Sequence, residues 1–223
     1  MINRSLFTSD KKDWGTPQTL FDTLNNEFNF TLDVCANESN AKLPRYFTPE
    51  EDGLVQSWAG EHCFMNPPYG EPEKACEPNC KKKTCKKRGY HLTEDAPGII
   101  HWVKKAFEES QKGALVIGLL PARTDTIWWQ KYVMEAVEIR LIKGRLAFVG
   151  GPNTAPFPSA IVKWTNTRSY NHPFVYGWDW KIKPDIMGAF KAIYEACPTA
   201  WSGMTDEEII QAIRQMRGYE DGN

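Results

Sequence analysis

Residues 114–121 read ALVIGLLP, apolar at every position and closed by a proline. A run of that length is a strand, and a strand with no polar side has both faces covered, as in sheets with helices packed on each side. The neighbouring segments supply those helices. TPQTLFDTLNNEF predicts a helix with Thr16 as N-cap and Pro17 at its first position, carrying Leu20, Phe21, Leu24 and Phe28 on one apolar face. IIHWVKKAFEES (99–110) predicts a second amphipathic helix ended by Gly113, and TIWWQKYVME a third. FNFTLDVC (28–35) alternates and predicts a strand ending near Asp33, and EHCFM a short buried one. AVEIRLI, RLAFV and SAIVKW (159–164) complete the strands, with a short strand at 45–48 and a short helix at 54–58 as minor elements. Strands alternating with helices predict an α/β domain with a mainly parallel sheet over residues 1–165. Beyond Trp164 the composition turns to Trp, Asn, His and Pro without period. Residues 166–223 therefore read as an extension, with helices at 184–196 and at 206–217, the latter opened by a Thr205–Glu208 capping box.

The 223 residues carry a net charge of −1, so any surface for a polyanion must be local. MINRSLFTSDKKDW lacks the apolar core of a signal peptide, and no run reaches the ~18 apolar residues of a membrane span. The expected place is the cytoplasm, where the six cysteines are expected to be free or metal-bound rather than paired.

In such sheets the site lies outside the carboxyl ends of the strands. Asp33, the segment Asn66-Pro67-Pro68-Tyr69 and Arg123 after ALVIGLLP are all expected there. Two prolines in a row can join neither a hydrogen-bonded helix nor a central strand. They stiffen the chain beside one amide and one phenol. An exocyclic amine on a purine is a poor nucleophile because its lone pair is delocalised into the ring. The Asn66 side-chain oxygen and the Pro67 carbonyl are two acceptors that would draw such an amine toward a tetrahedral nitrogen, while Tyr69 stacks on the base. A base held this way has left its duplex, at a cost of a few kcal/mol. Taken alone, the segment is equally compatible with a simple turn after a strand.

Several further segments stand in order around it: DWGTPQTLFDTLNNEF, FTLDVCANESNAK, YFTPEEDGLVQSW, PGIIHWVKKAFEES, LVIGLLPARTDTIWWQKYV and IKGRLAFVGGPNTAPFPSAIVKW. Together with FMNPPYG they resemble the bacteriophage DNA N6-adenine methyltransferases, a Dam-like family dependent on S-adenosylmethionine, over roughly residues 10–165. The resemblance implies a Rossmann-like sheet and double-stranded DNA as partner. It implies catalysis by Asn66, Pro67, Pro68 and Tyr69, and cofactor contacts from Trp14, Thr16, Pro17, Asp33 and Asp52. Phe148 or Phe157 would give the second aromatic wall for the base. Asp33 is followed by VCAN, not a glycine-rich loop, and only 32 residues separate Asp33 from Asn66. One side of the sheet is therefore expected to be trimmed. The recognition sequence is not legible, although the resemblance suggests GATC, and neither is the oligomeric state.

Residues 71–98 form a polar, cysteine-rich insertion. Cys76, Cys80, Cys85 and His91 offer three thiols and an imidazole within 16 residues, a donor set that suits tetrahedral zinc. A segment with so few apolar residues cannot fold by burial, and a metal would supply its order. The other reading is a disordered basic loop with incidental cysteines. Lys81, Lys82, Lys83, Lys86, Lys87 and Arg88 place six cations in eight positions, to meet DNA phosphates together with Arg123 or to form a solvated charge run. Cys35, Cys63 and Cys197 read as core thiols, and His62, His101 and His172 take no role. Two rivals remain open: a glutamine (or RNA adenine) methyltransferase, since the motif also suits a planar amide, and a catalytically inactive DNA-binding protein of the same fold.

Overall fold

A computed structural model describes residues 15–77, 79–150, 154–167 and 173–181, with Thr205 and Glu208. Trp14 and the helices expected at 184–196 and 206–217 lie outside the described residues, as does the side chain of Lys87. The chain divides into one unit ending at Trp178 and another from Asp179 onward. In the latter, the Thr205 amide donates to Glu208 Oε2 at 2.7 Å and the Glu208 amide to Thr205 Oγ1 at 3.3 Å, the reciprocal pair of a capping box.

In the first unit the order is α1 (Gln18–Phe28), β1 (Leu32–Asp33), β2 (His62–Met65), α2 (Lys83–Arg88), α3 (Ile99–Gln111), β3 (Leu115–Pro121), a π-helical turn (Trp129–Val133), β4 (Glu138–Ile142), β5 (Ser159–Trp164) and β6 (Phe174–Trp178). The strands form one sheet in the order β1-β2-β3-β5-β4-β6. Strand β5 is antiparallel to both its neighbours, and every other pairing is parallel, so five strands run one way and β5 alone runs back. The sheet is mainly parallel, as the alternation predicts, and β1 at its edge is only two residues long.

Helices lie on both faces. Phe64 of β2 meets Phe21 of α1 edge-on at 5.1 Å, which puts α1 on the Phe64 face. Met65, Gly118 and Trp164 point to the other face. A Cβ on Gly118 would lie 2.9 Å from the Trp164 ring and 3.0 Å from Met65 Cε, so the indole rests directly on the β3 backbone. The Trp164 indole N–H donates to Tyr132 O at 2.9 Å, and Phe107 of α3 packs on the Tyr132 ring, which brings the π-helical turn and α3 to this face. The apolar faces expected from the sequence are the ones buried, Leu20, Phe21, Leu24 and Phe28 on α1, and Ile99, Trp102, Val103 and Ala106 on α3.

Several local expectations are corrected. Helix α1 starts one residue late, with Pro17 rather than Thr16 at its N-cap, because the Thr16 hydroxyl accepts from Asn66 Nδ2 instead. The strand at 28–35 contracts to β1, and that at 45–48 to a single bridge between Asp33 and Tyr46. Residues 54–58 form turns, with the Trp58 amide held by Glu109 Oε2 at 2.8 Å. The third helix is mostly the π-helical turn. RLAFV makes only the Gly15–Val149 bridge, and β6 stands where no strand is expected. Among the described residues, no helix is long and apolar enough to cross a membrane.

One ionic cluster ties α1 to the sheet. Arg140 of β4 donates to both carboxylate oxygens of Glu27, at 2.6 Å for the Nη1 bond, and through Nε to Glu138 Oε1 at 2.6 Å. All three side chains are largely buried. Replacing Arg140 by Ala strands the Glu27 carboxylate and leaves Glu138 only Tyr176 and Lys163, so urea unfolding should register a loss of about 3–5 kcal/mol.

Candidate functional site

The parallel strands β1, β2 and β3 end on the same side of the sheet, and a cavity of about 520 Å³ opens there. One part is lined by the loop after β1 (Cys35, Ala36, Asn37, Asn40) and by Phe47, Thr48 and Pro49. The other is lined by Asn66 to Glu71 after β2, by Arg123 after β3 and by Phe157. Loops drawn from between residues 35 and 157 thus converge on the carboxyl edge of three strands.

Asn66 leaves β2 with its carboxamide clamped at both ends. Its Nδ2 donates to Thr16 Oγ1 at 3.0 Å, and its Oδ1 accepts from the Tyr69 hydroxyl at 2.7 Å. Thr16 is buried, which makes the choice of amide orientation a costly one to reverse. The Tyr69 hydroxyl also lies 3.0 Å from the Leu119 carbonyl. A phenol has one proton, so it serves one of these acceptors at a time. Burial, and then the nearby Cys35, push the Tyr69 phenol well above its usual range, so it remains a donor. The Tyr69 ring meets Phe157 edge-on at 5.7 Å and Phe148 at 6.4 Å. Phe157 lines the cavity, whereas Phe148 is buried. Of the two, Phe157 is the aromatic at the cavity and Phe148 backs Tyr69.

Asp33 ends β1 as expected, but its buried carboxylate turns into the loop, accepting from the Lys42 amide at 3.2 Å and the Cys35 amide at 3.5 Å. It shapes the cavity-lining loop without lining the cavity itself. Burial pushes its carboxyl up to about 6, with the two amides and Lys42 opposing. Burial, followed by the Asp33 charge, also pushes the Cys35 thiol well up, which leaves it a neutral wall group. Asp52 sits in a positive-φ turn with Oδ1 accepting from the Leu54 amide at 3.1 Å, beside cavity-lining Gly53 but not among the lining residues.

The insertion reaches the same cavity. Glu73, Arg88, Tyr90, Leu92 and Ala96 line it. Cys76, Cys80, Cys85 and His91 come together, all ligand atoms lying within 4.8 Å of one another. Of the cations, Lys81, Lys82, Lys83 and Lys86 are exposed. Arg88 is turned inward onto Glu73, with Nη1 at 3.2 Å from Oε1, and Arg123 lies 3.7 Å from Glu71. The cavity residues that sequence reasoning missed, Asn37, Asn40, Phe47, Thr48 and Tyr90, carry no spacing signal of their own; they meet only because the loops after β1 and β2 fold toward each other.

The sequence model of the DNA N-6-adenine-methyltransferase (Dam) family matches residues 4–160. A DNA N-6-adenine-methyltransferase of Haemophilus phage HP1 is 46% identical over 66 residues, 29% of this chain and 38% of that protein. One of Escherichia phage T1 is 25% identical over 155 residues, 62% of this chain and 54% of that protein. The aligned stretches thus span about two fifths and one half of the length of these relatives. Among solved structures, the type I restriction-modification methyltransferase subunit of Streptococcus thermophilus is 14% identical with a TM-score of 0.43, covering 95% of this chain and 54% of that one.

The raised Asp33 carboxyl has a pH signature. A carboxyl whose folded value lies above its ordinary 3.8 favours the fold most when protonated, so its contribution falls as pH rises from 3.8 to about 6. Asp33→Asn should remove that fall. Urea midpoints measured across this window should show wild type losing up to about 3 kcal/mol relative to the variant.

Proposed function

The chain belongs to the DNA N-6-adenine-methyltransferase (Dam) family, and from that membership and the geometry of the cavity we propose that it methylates the exocyclic N6 amine of adenine in double-stranded DNA. The observation that carries the reading is the Asn66 carboxamide, fixed at the end of β2 with its oxygen toward Tyr69 and followed by two prolines at the cavity wall. Asn66 Oδ1 and the Pro67 carbonyl accept one hydrogen bond each from the two amine N–H groups. Each pulls electron density onto nitrogen, so the lone pair is freed from the ring for attack. Pro67 and Pro68 keep the carbonyl from turning away. The Tyr69 and Phe157 rings supply the aromatic surface on which an adenine outside its duplex is held.

Tyr69 has a further part. When the amine approaches Asn66 Oδ1, the phenolic proton has the Leu119 carbonyl as a second acceptor 3.0 Å away. The oxygen is released to substrate without a buried donor being orphaned. Thr16 meanwhile holds the amide in the orientation that presents oxygen, not nitrogen, to the amine.

We assign S-adenosylmethionine to the part of the cavity lined by Cys35, Ala36, Asn37, Asn40, Phe47 and Thr48, with Asp33 holding that loop through the Cys35 and Lys42 amides; Pro17, at the N-cap of α1, is not among the lining residues. The amides, hydroxyl and aromatic ring of that part suit a nucleoside. When bound, the cofactor supplies a methyl group activated by a positive sulfur; transfer leaves a thioether, and the amine gives up one proton to solvent. No catalytic cysteine is needed. The second cofactor we infer is a structural zinc on Cys76, Cys80, Cys85 and His91. Exposed Lys81, Lys82, Lys83 and Lys86, with Lys87 and Arg123, are assigned to DNA phosphates. The bacterial cytoplasm is the place of action.

The direct test is incubation with labelled S-adenosylmethionine and unmethylated DNA, followed by digestion to nucleosides. Label is expected in N6-methyl-2′-deoxyadenosine and should fall at least about 100-fold in Asn66→Ala. Label absent from DNA while the cofactor still binds would overturn the reading and direct the search to RNA or protein amides. Thr16→Val should lower kcat by roughly tenfold with little change in KM for DNA, and Thr16→Ser should restore it, since only the hydroxyl orients the amide.

A further inference from the structure

The insertion is pinned to the catalytic segment at its root. The Ile99 amide donates to Gly70 O at 2.8 Å, and Glu73 and Ala96 exchange both backbone hydrogen bonds, at 3.0 and 2.8 Å. A Cβ on Gly98 would lie 2.3 Å from the Pro72 nitrogen, so the returning chain lies flat on the outgoing one. Further out the Cys76 amide donates to Leu92 O at 2.8 Å. Beyond these bonds, among the described residues of the insertion the buried apolar side chains are Cys85 and Leu92, too few to hold its tip.

The sulfurs of Cys76 and Cys85 are 3.4 Å apart, and those of Cys80 and Cys85 3.6 Å. Zinc–sulfur bonds of about 2.3 Å in a tetrahedron put ligand sulfurs roughly 3.8 Å apart, so this spacing needs little adjustment to receive the ion. Two donors already face the sulfurs: the Leu92 amide lies 3.4 Å from Cys76 Sγ and Arg88 Nη2 lies 3.5 Å from Cys85 Sγ. Outer hydrogen bonds of this kind orient ligands and offset thiolate charge.

Arg88 joins this cluster to the cavity. Its guanidinium holds Cys85 Sγ and Glu73 and lies 4.8 Å over the Tyr90 ring. Glu73, Arg88, Tyr90 and Leu92 line the cavity into which Asn66 and Tyr69 project. Each of the four is a ligand's neighbour in sequence or is bonded to one through Arg88. We infer that zinc at this cluster builds one wall of the substrate pocket: the ion sets Arg88, and the Arg88–Tyr90 pair presents a stacked cationic and aromatic surface to the nucleotide that leaves the duplex. This rests on the DNA-methylating reading. It makes the metal a requirement for DNA substrate at the pocket and not for the cofactor, whose part of the cavity is built by other loops.

The test uses the full chain. Metal analysis should find one zinc per chain, lost in Cys80→Ser. Arg88→Gln and Tyr90→Ala should keep the zinc and the cofactor affinity by calorimetry, yet raise KM for DNA by about tenfold. Wild type stripped of metal by a thiol-specific mercurial and chelator should show the same or a larger rise, reversed when zinc is returned after excess thiol. Protein without stoichiometric zinc, or stripped protein with an unchanged KM for DNA, overturns the inference. If wild type binds cofactor but methylates no DNA, the activity reading fails separately. Duplex affinity by fluorescence anisotropy with and without zinc, in wild type and Tyr90→Ala, then decides the wall: a zinc effect of equal size in both, or none, defeats it, and a zinc effect that shrinks in Tyr90→Ala upholds it.

Discussion

The Asn66 carboxamide is held by one partner near it in the chain and by groups that arrive from distant parts. Thr16 comes from the segment before α1, Tyr69 from beyond the two prolines, and the alternative acceptor for Tyr69 from Leu119 in the middle of β3. For these to meet, α1 must pack on the sheet, β2 must lie in register beside β3, and the Pro-Pro turn must bring the phenol back over the strand end. An amide free to rotate would show oxygen and nitrogen in turn to whatever entered the cavity. A single orientation is therefore the product of the whole sheet, and the sheet's order is what the clamp depends on.

The division of charge around the cavity follows from the same economy. Cations in the insertion look like one patch in sequence, but folding separates them. Lys81, Lys82, Lys83 and Lys86 remain exposed, while Arg88 turns onto Glu73, Tyr90 and Cys85. Arginine suits that inner post: its planar guanidinium donates to several partners at once and stacks on a ring, which an ammonium cannot do.

How much of this was legible in the sequence depends on whether a feature is local. The buried strands EHCFM, ALVIGLLP and SAIVKW, the faces of α1 and α3, and the stiff Asn66–Tyr69 segment each carry their signal within a few residues, and the structure places them accordingly. Strand β6 was not legible, because its five residues are mostly exposed at a sheet edge and its place is fixed by backbone pairing with β4. RLAFV misled for the opposite reason: it has the composition of a strand, but only Val149 finds a partner. The N-cap of α1 was misplaced because Thr16, a good capping residue by type, spends its hydroxyl on Asn66. In the site, the Cys76–His91 cluster and the Asn66–Tyr69 segment are each contiguous and so legible; Asn37, Thr48 and Tyr90 come from separate loops and are not.

The root of the insertion uncouples its length from the rest of the fold. Because Glu73 and Ala96 lie side by side and Ile99 returns its amide to Gly70, the chain leaves and re-enters the fold at nearly one point. The sheet and the clamp are insensitive to how many residues lie between, since lengthening a loop whose ends are already joined costs little entropy. The segment is thus a socket. A segment of another length or with another tip fits the same root without disturbing the sheet and the clamp behind it.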